Sequence, residues 1–146
     1  MNNLIKTLIA GFILIVNLSC AQTVTMKSLS DAKKLELNKK EFVGKSLGYF
    51  LKHIGLEIKS IKPAPNKNLS EVNRISFMFV PYNQYRNDRR DITEKPTTIT
   101  VVFNQNWDLL GNRCRYDIQG CTEWTKEDEK RLGDLIIYDI YVLGKD

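Results

Sequence analysis

Two stretches of alternating apolar and polar residues constrain the fold of this 146-residue chain more than any other feature. The stretches are NRISFMFVP and TTITVVFN. In both, every second residue is large and apolar: Ile75, Phe77, Phe79, Ile99, Val101 and Phe103. A period of two is typical of strands that turn one face to a core and the other to water. The two stretches therefore predict two strands of a sheet that is covered on one face.

The end of the chain, DLIIYDIYVLG, predicts another strand. Its first apolar face would carry Ile136, Tyr138, Ile140 and Val142. Its second face is also largely apolar, with Asp139 among the larger side chains. A strand that is apolar on both faces is typical of the covered centre of a sheet. We therefore expect either a central strand or a face that meets a partner.

The stretch FVGKSLGYFLKHIGLEI predicts a helix followed by a strand. Apolar residues recur at helical spacing: Leu47, Phe50, Leu51 and Ile54. Ser46 is suited to cap the amino end of this helix, and Gly55 is suited to end it in a left-handed conformation. Leu56 to Lys62 then predicts a strand, which we expect to stop at Pro63.

A second helix is predicted in WTKEDEKRL. Thr125 is suited to cap it, and Asp128 follows at the position of a capping box. Acidic residues fill the first turn, where their negative charges interact favourably with the positive end of the helix dipole. Gly133 would end the helix.

The order of these elements is helix, strand, strand, strand, helix, strand. With short connections, this order predicts a single α+β domain over residues 42–146, with an antiparallel sheet of about four strands and two helices on one face. Residues 22–41 are rich in lysine and would form either a tether or a short helix over Asp31 to Leu37. We find no internal repeat and no second domain.

The segments VGKSL and IGLEI lie at either end of the predicted helix. With their surroundings, Phe42 to Ile58, they resemble one helix–strand element of a PASTA domain. The resemblance implies only this local helix-then-strand arrangement. It does not repeat along the chain, and no ligand residues are carried over from it.

The amino terminus predicts an export signal. Lys6 supplies positive charge, and Thr7 to Val16 is uncharged and almost wholly apolar. This stretch is too short for a membrane-spanning helix, which needs about 20 apolar residues. Endings such as SCAQ resemble those of small exported proteins and lipoproteins of Gram-negative bacteria. We therefore expect a periplasmic protein, an outer-membrane lipoprotein or an extracellular protein.

Two cleavage sites compete. Cleavage after Ala21 would remove residues 1–21, with small residues at Ser19 and Ala21 as signal peptidases require. Cleavage before Cys20 would remove residues 1–19 and leave a lipidated amino-terminal cysteine, because LSC resembles a bacterial lipobox. A lipid on Cys20 would be the chain's only attachment to a membrane.

Cys114 and Cys121 remain in either mature chain, separated by six residues. In an oxidising compartment this pair predicts a disulfide bond. The chain has no C-x-x-C motif, and its one histidine, His53, lies about 60 residues away. We therefore expect no metal site and no cofactor.

Charge argues against a nucleic-acid partner. The chain carries +5 at neutral pH, and removal of Lys6 with the leader leaves +4. Dedicated nucleic-acid binders carry a denser basic stripe.

Catalytic motifs are incomplete. Lys39 stands where a P-loop would have a glycine before Gly44–Ser46, which we interpret as a turn that opens a helix. His53 has no partners for a triad, and we expect it to be half exposed on its helix. Two carboxylates could serve a glycan-processing hydrolase, the candidates being Asp88, Asp91, Glu94, Asp108, Asp117 and Glu123. Solvated loop charges are the simpler interpretation, and we favour a protein that is not an enzyme.

Two loops share a basic and aromatic character, at residues 82–90 and 106–124. Arginine forms paired hydrogen bonds with anionic oxygens, and aromatic rings stack on sugars or on polypeptide chains. This composition is therefore typical of recognition surfaces. The candidate ligand-binding residues are Arg86, Arg89, Arg90, Trp107, Arg113, Arg115 and Tyr116. If both loops lie at one end of the sheet, they would form one patch for an anionic glycan, a lipid headgroup or an acidic protein segment of the cell envelope.

Three interpretations therefore stay open. The first is a non-enzymatic exported binding module that uses both loops. The second is a structural subunit or inhibitor of an envelope assembly, which the apolar last strand favours. The third is a small hydrolase that uses loop carboxylates. The loop arginines could also serve solubility alone, with Trp107 and Trp124 holding the second loop on the core.

Overall fold

The structure is a computed structural model, and it describes residues 24–65, 71–108 and 122–145. This part of the chain contains four α-helices: α1 (Ala32–Leu37), α2 (Leu47–Leu51), α3 (Tyr82–Asn87) and α4 (Lys126–Leu132). It contains four strands: β1 (Ser60–Pro65), β2 (Glu71–Met78), β3 (Thr98–Asp108) and β4 (Ile137–Leu143). The strands form one antiparallel sheet in the order in which they occur in the chain. The predicted α+β fold with a single four-stranded antiparallel sheet is confirmed.

One hydrophobic core lies between the sheet and the helices. Every apolar residue predicted to face inward from β2 and β3 is buried there. Leu47, Phe50 and Leu51 of α2 and Leu132 of α4 cover the same face of the sheet. Burial of such side chains is the main favourable term in folding. The two helices expected on one face of the sheet are α2 and α4.

Both predicted amino-terminal caps are present. The Ser46 hydroxyl accepts a hydrogen bond from the Tyr49 N–H at 3.2 Å. Thr125 and Asp128 form a reciprocal capping box, in which the Asp128 carboxylate accepts from the Thr125 N–H at 3.1 Å. Helix starts leave unpaired N–H groups, and these side chains satisfy some of them.

The expected role of Gly55 was wrong. Among the described residues only Gly44 and Gly144 have positive φ, so α2 does not end in a left-handed glycine at Gly55. Gly55 instead donates its N–H to the Met26 carbonyl at 2.8 Å. A Cβ at this position would lie 2.7 Å from the same oxygen. The glycine therefore permits a close approach of two backbone segments.

The first strand was placed too early. β1 begins at Ser60 rather than Leu56 and continues through Pro63. Proline lacks the N–H that a central strand needs, but β1 is an edge strand and only one of its sides is paired with another strand. Pro63 lies opposite Ile75 of β2 in the register of the sheet.

The last strand is not central. β4 forms the other edge of the sheet and pairs with β3 alone. Val102 lies opposite Asp139 and Phe103 opposite Ile137, so Tyr138 is the extra residue of a β-bulge. The bulge reverses the expected alternation only at the start of the strand, where Ile137 is buried and Tyr138 is 64% exposed. Ile140 and Val142 are buried as expected.

Residues 24–41, for which the sequence left a tether or a short helix open, pack onto the domain. Met26, Ala32 and Leu35 are buried in the common core. Turns of 3-10 helix, Leu29–Asp31 and Lys39–Glu41, lie on either side of α1. α1 contacts β4, the strand that follows it by about a hundred residues.

Candidate functional site

The first candidate loop, residues 82–90, contains α3, a short helix that was not predicted. It follows the end of β2 and contacts the beginning of β1. The Ser60 hydroxyl donates to the Val80 carbonyl at 2.7 Å, which ties the start of this segment to the sheet. None of the residues of α3 is buried. The helix thus lies on the outside of the domain with its polar side chains accessible.

Residues that follow α3 in the chain also contact the helix. The Lys95 ammonium lies 5.1 Å from the centre of the Tyr85 ring, a cation–π distance. Burial raises the pKa of the Tyr85 hydroxyl, with the Asp88 charge contributing. Glu94 in turn forms an ion pair with Lys145 at 3.5 Å. Tyr85 is therefore partly occupied by contacts within the domain.

The three arginines of this loop differ in their environment. Arg90 forks onto Asp88, with Nε donating to Oδ1 at 3.0 Å and Nη2 donating to Oδ2 at 2.6 Å. These hydrogen bonds lower the pKa of Asp88 to about 2. Arg86 and Arg89 are exposed and have no ion-pair partner within the described residues. The cationic groups available to a ligand are therefore Arg86 and Arg89 rather than all three.

The second candidate loop begins at the opposite end of the sheet. β3 ends at Asp108 opposite Glu71, whereas α3 follows the end of β2 at Met78. The described chain resumes at Thr122, whose carbonyl accepts from the Ile61 N–H at 2.6 Å beside the start of β1. The loop thus leaves the sheet at one end and returns beside the other, where α3 lies.

Several predicted residues lie outside the described part of the chain. These are the leader with Cys20, the two cysteines Cys114 and Cys121, and the loop residues Arg113, Arg115 and Tyr116. The backbone of Trp107 lies opposite Val72 in the sheet. Trp124 packs its ring edge-to-face on Phe77 at 5.2 Å between ring centres.

His53 is buried, at 8% exposure, so the expectation of a half-exposed helix histidine was wrong. Its ring lies 5.2 Å from the Phe42 ring and 4.7 Å from the Tyr49 ring. Its Nδ1 is 2.9 Å from the Tyr49 carbonyl oxygen, at the end of α2, where helical carbonyls lack partners. Its backbone groups are bonded to Phe50 and Met26. This environment gives His53 a structural role.

The Gly44–Ser46 stretch is a turn that opens α2, as interpreted. The Gly44 N–H donates to the Ile137 carbonyl at 2.9 Å, and the Lys45 carbonyl accepts from the Ile137 N–H at 2.9 Å. The Gly44 N–H, which a phosphate cradle would need, is therefore bonded to β4.

Sequence reasoning missed a shallow groove of about 340 Å³ between the extended residues before β1 and the start of α4. An isolated β-bridge joins Ser60 to Glu123. The groove is lined by residues that precede Ser60 and residues that follow Glu123. Its floor includes the half-buried Leu56, Ile58 and Trp124. The described residues contain no group of three or more histidine, cysteine or acidic side chains arranged to hold a metal.

Comparisons of the chain with protein-family models, curated proteins and solved structures found no significant match. Within the described ranges, no helix has the length and apolar character needed to cross a membrane.

Proposed function

We propose that the protein is an exported, non-enzymatic binding module that recognises an anionic component of the cell envelope through its two basic-aromatic loops, residues 82–90 and 106–124. Residues 1–21 or 1–19 serve as the export signal, and the disulfide between Cys114 and Cys121 restrains the second loop. A restrained loop loses less entropy when it binds.

The observation that carries the proposal is the environment of Arg86 and Arg89. Both side chains are exposed and, in the described part of the chain, neither forms an ion pair. The neighbouring Asp88 is already neutralised by Arg90. The segment that carries Arg86 and Arg89 is anchored before α3 by Ser60 and Val80, and within α3 by Lys95 and Tyr85. Two uncompensated guanidinium groups on an anchored segment favour an anionic ligand.

The ion pairs of two candidate carboxylates, Asp88 and Glu94, support a binding role over a hydrolase. A general acid needs a raised pKa, but hydrogen bonds from Arg90 hold the pKa of Asp88 well below its usual value. Glu94 is exposed and paired with Lys145. These two candidate carboxylates therefore fit surface charges better than catalytic groups.

The test is sedimentation of the purified protein with isolated cell envelopes at physiological salt. We expect the Arg86→Ser/Arg89→Ser variant to bind about tenfold more weakly than the parent. Adding Arg90→Ser, Arg113→Ser and Arg115→Ser should abolish association. Circular dichroism should be unchanged, because Arg86 and Arg89 lie on the surface.

Lys52→Ser/Lys130→Ser is the matched control outside the two loops. It also removes two positive charges, from exposed lysines of the helical layer, so we expect less than about a twofold loss. Envelope binding of the Arg86→Ser/Arg89→Ser variant equal to that of the parent would refute the proposal.

A further inference from the structure

The sheet has a face turned away from the core, and its side chains form rows across the strands. Register places Lys62, Ser76, Thr100 and Tyr141 side by side in one row. The adjacent row, towards the end of β1, consists of Ala64, Arg74, Val102 and Asp139. We call these eight residues the outer rows. They alternate along each strand with the buried residues of the core, so they share one face.

The outer rows carry uncompensated positive charge. Lys62 and Arg74 are exposed and, as far as the structure describes the chain, neither has an ion-pair partner. Asp139 is the acidic residue of the rows, and it is paired with Lys39 at 2.7 Å. The same hydrogen bond lowers the pKa of the Asp139 carboxyl. Because Asp139 is already paired with Lys39, it does not balance the positive charges of Lys62 and Arg74.

Polar uncharged groups continue the row of Lys62 across β2, β3 and β4. The half-buried Ser76 donates or accepts a hydrogen bond of 2.8 Å with the hydroxyl of Thr100, which is buried, and Tyr141 is half-buried beside Thr100. Of the large apolar side chains that are exposed in the described part of the chain, Tyr138 adjoins Asp139 at the edge of this face, and Leu37, Val43, Tyr49 and Ile92 lie elsewhere. The face is polar and cationic rather than apolar.

The outer rows are continuous with the segment that carries α3. The next row along the same face contains Ser60, Met78 and Thr98, and all three are buried. The Ser60 hydroxyl bonds to Val80, just before α3, so the outer rows begin where this segment meets the sheet. Lys62 lies about 7 Å along β1 from Ser60. The segment that carries Arg86 and Arg89 therefore borders the outer rows.

We infer that the outer rows extend the binding surface of α3 and that the occupant is an extended acidic polysaccharide, an inference that rests on the proposed function. Charge complementarity selects a ligand with repeated acidic groups. The half-buried Ser76 hydroxyl and Tyr141 ring match the hydroxyls and ring faces of sugars. A membrane surface is disfavoured, because proteins that lie on bilayers insert bulky apolar side chains and these rows expose none.

The test uses polygalacturonate as the probe in affinity electrophoresis of the purified protein, with neutral dextran in a parallel gel. We expect polygalacturonate, but not dextran, to retard the parent. Lys62→Ser/Arg74→Ser should weaken the apparent affinity about tenfold. Lys52→Ser/Lys130→Ser removes the same charge from exposed lysines of the helical layer, and should change it less than about twofold. Lys62→Gln/Arg74→Gln repeats the test if the serine pair fails to fold.

Any of the following results would overturn the inference. If Lys62 and Arg74 prove dispensable while Arg86 and Arg89 are needed for envelope binding, the inference fails and the proposed function stands. If neither pair matters for envelope binding, both fail. Equal weakening by the control pair would reveal a response to net charge only. Absence of polygalacturonate binding, or tighter binding to phosphatidylglycerol vesicles or to polyglutamate, would assign the surface to another class of ligand.

Discussion

The Glu36 carboxylate accepts a hydrogen bond from the backbone N–H of Val142 at 3.1 Å, across 106 positions of the chain. Lys33 completes the arrangement by donating to the Val142 carbonyl at 3.0 Å and to Glu36 at 2.7 Å. The two side chains of α1 thus occupy the donor and acceptor that Val142 of β4 would otherwise offer to another strand. Edge strands that keep such groups free can pair with other molecules.

Glu36→Ala should destabilise the protein, because it leaves the Val142 N–H without its acceptor and Lys33 without its ion pair. We expect the free energy of unfolding to fall by about 1–3 kcal/mol, the cost of an unsatisfied backbone group. Urea denaturation followed by circular dichroism measures it. Glu36→Gln keeps an acceptor oxygen and should lose less; an equal loss in both variants would show that charge rather than the backbone hydrogen bond matters.

Stability should fall in acid, and the sign follows from the carboxylates. Burial raises the pKa of Glu36, but hydrogen bonds from Lys33 and the Val142 N–H outweigh it and the pKa ends below its ordinary 4.5. Hydrogen bonds also lower the pKa values of Asp31, Asp88 and Asp139. Folded-state values below the unfolded ones give stability that is complete above the unfolded pKa and is lost as pH falls through the folded pKa.

The urea midpoint should therefore decrease steadily below about pH 5. Glu36→Gln should flatten part of this decrease, because it removes one of the responsible groups. A midpoint that stays constant between about pH 5 and pH 3 would contradict the assignment of these ion pairs.

Gly55→Ala should destabilise the protein. Its Cβ would lie 2.7 Å from the Met26 carbonyl oxygen, and backbone must move to relieve the clash. Forced repacking of this kind costs about 1–3 kcal/mol. Thermal unfolding measures the effect.

Gly48→Ala is the matched control for Gly55→Ala. Its Cβ would lie 3.4 Å from the Gly133 oxygen, in ordinary contact, and α2 should gain from the replacement. We expect no loss of stability. Equal losses in both glycine variants would disprove the close approach at Met26.

His53 should act as a structural residue. His53→Ala removes the ring that contacts Phe42 and Tyr49, and should cost about 2–4 kcal/mol by analogy with other large-to-small substitutions in cores. His53→Phe keeps a ring and loses only the hydrogen bond to the Tyr49 carbonyl, which costs about 1 kcal/mol. Chemical denaturation at neutral pH compares the two, and a larger loss in His53→Phe than in His53→Ala would contradict this role.

The sequence predicted the elements whose signals are local. Strand alternation located the inward faces of β2 and β3, and the side chains of Ser46 and Thr125 marked the starts of α2 and α4. Each of these signals lies within a few residues of the feature that it predicts, and none depends on the rest of the fold.

Features that depend on distant partners escaped prediction. β4 looked central because both its faces are apolar, yet its outer edge is occupied by Glu36 and Lys33 from a helix far away in the chain. The bulge at Tyr138 shifted its alternation by one residue. Burial of His53 depends on Phe42 and on backbone contacts with Met26, which the helical spacing of α2 does not report.

The candidate site was predicted by composition only. Arginine and tyrosine content identified residues 82–90, but it could not separate Arg90, which Asp88 neutralises, from Arg86 and Arg89. The outer rows were not predicted as a surface, because Lys62 and Arg74 become neighbours only through the register of two strands.

The bond between Glu36 and Val142 also has a consequence for biosynthesis. A nascent chain that ends anywhere before Val142 has made α1 without the partner that holds it, and its sheet lacks the edge that α1 seals. β4 follows every other described element along the chain, yet α1, one of the first, needs it. The domain therefore cannot close before β4 has left the ribosome.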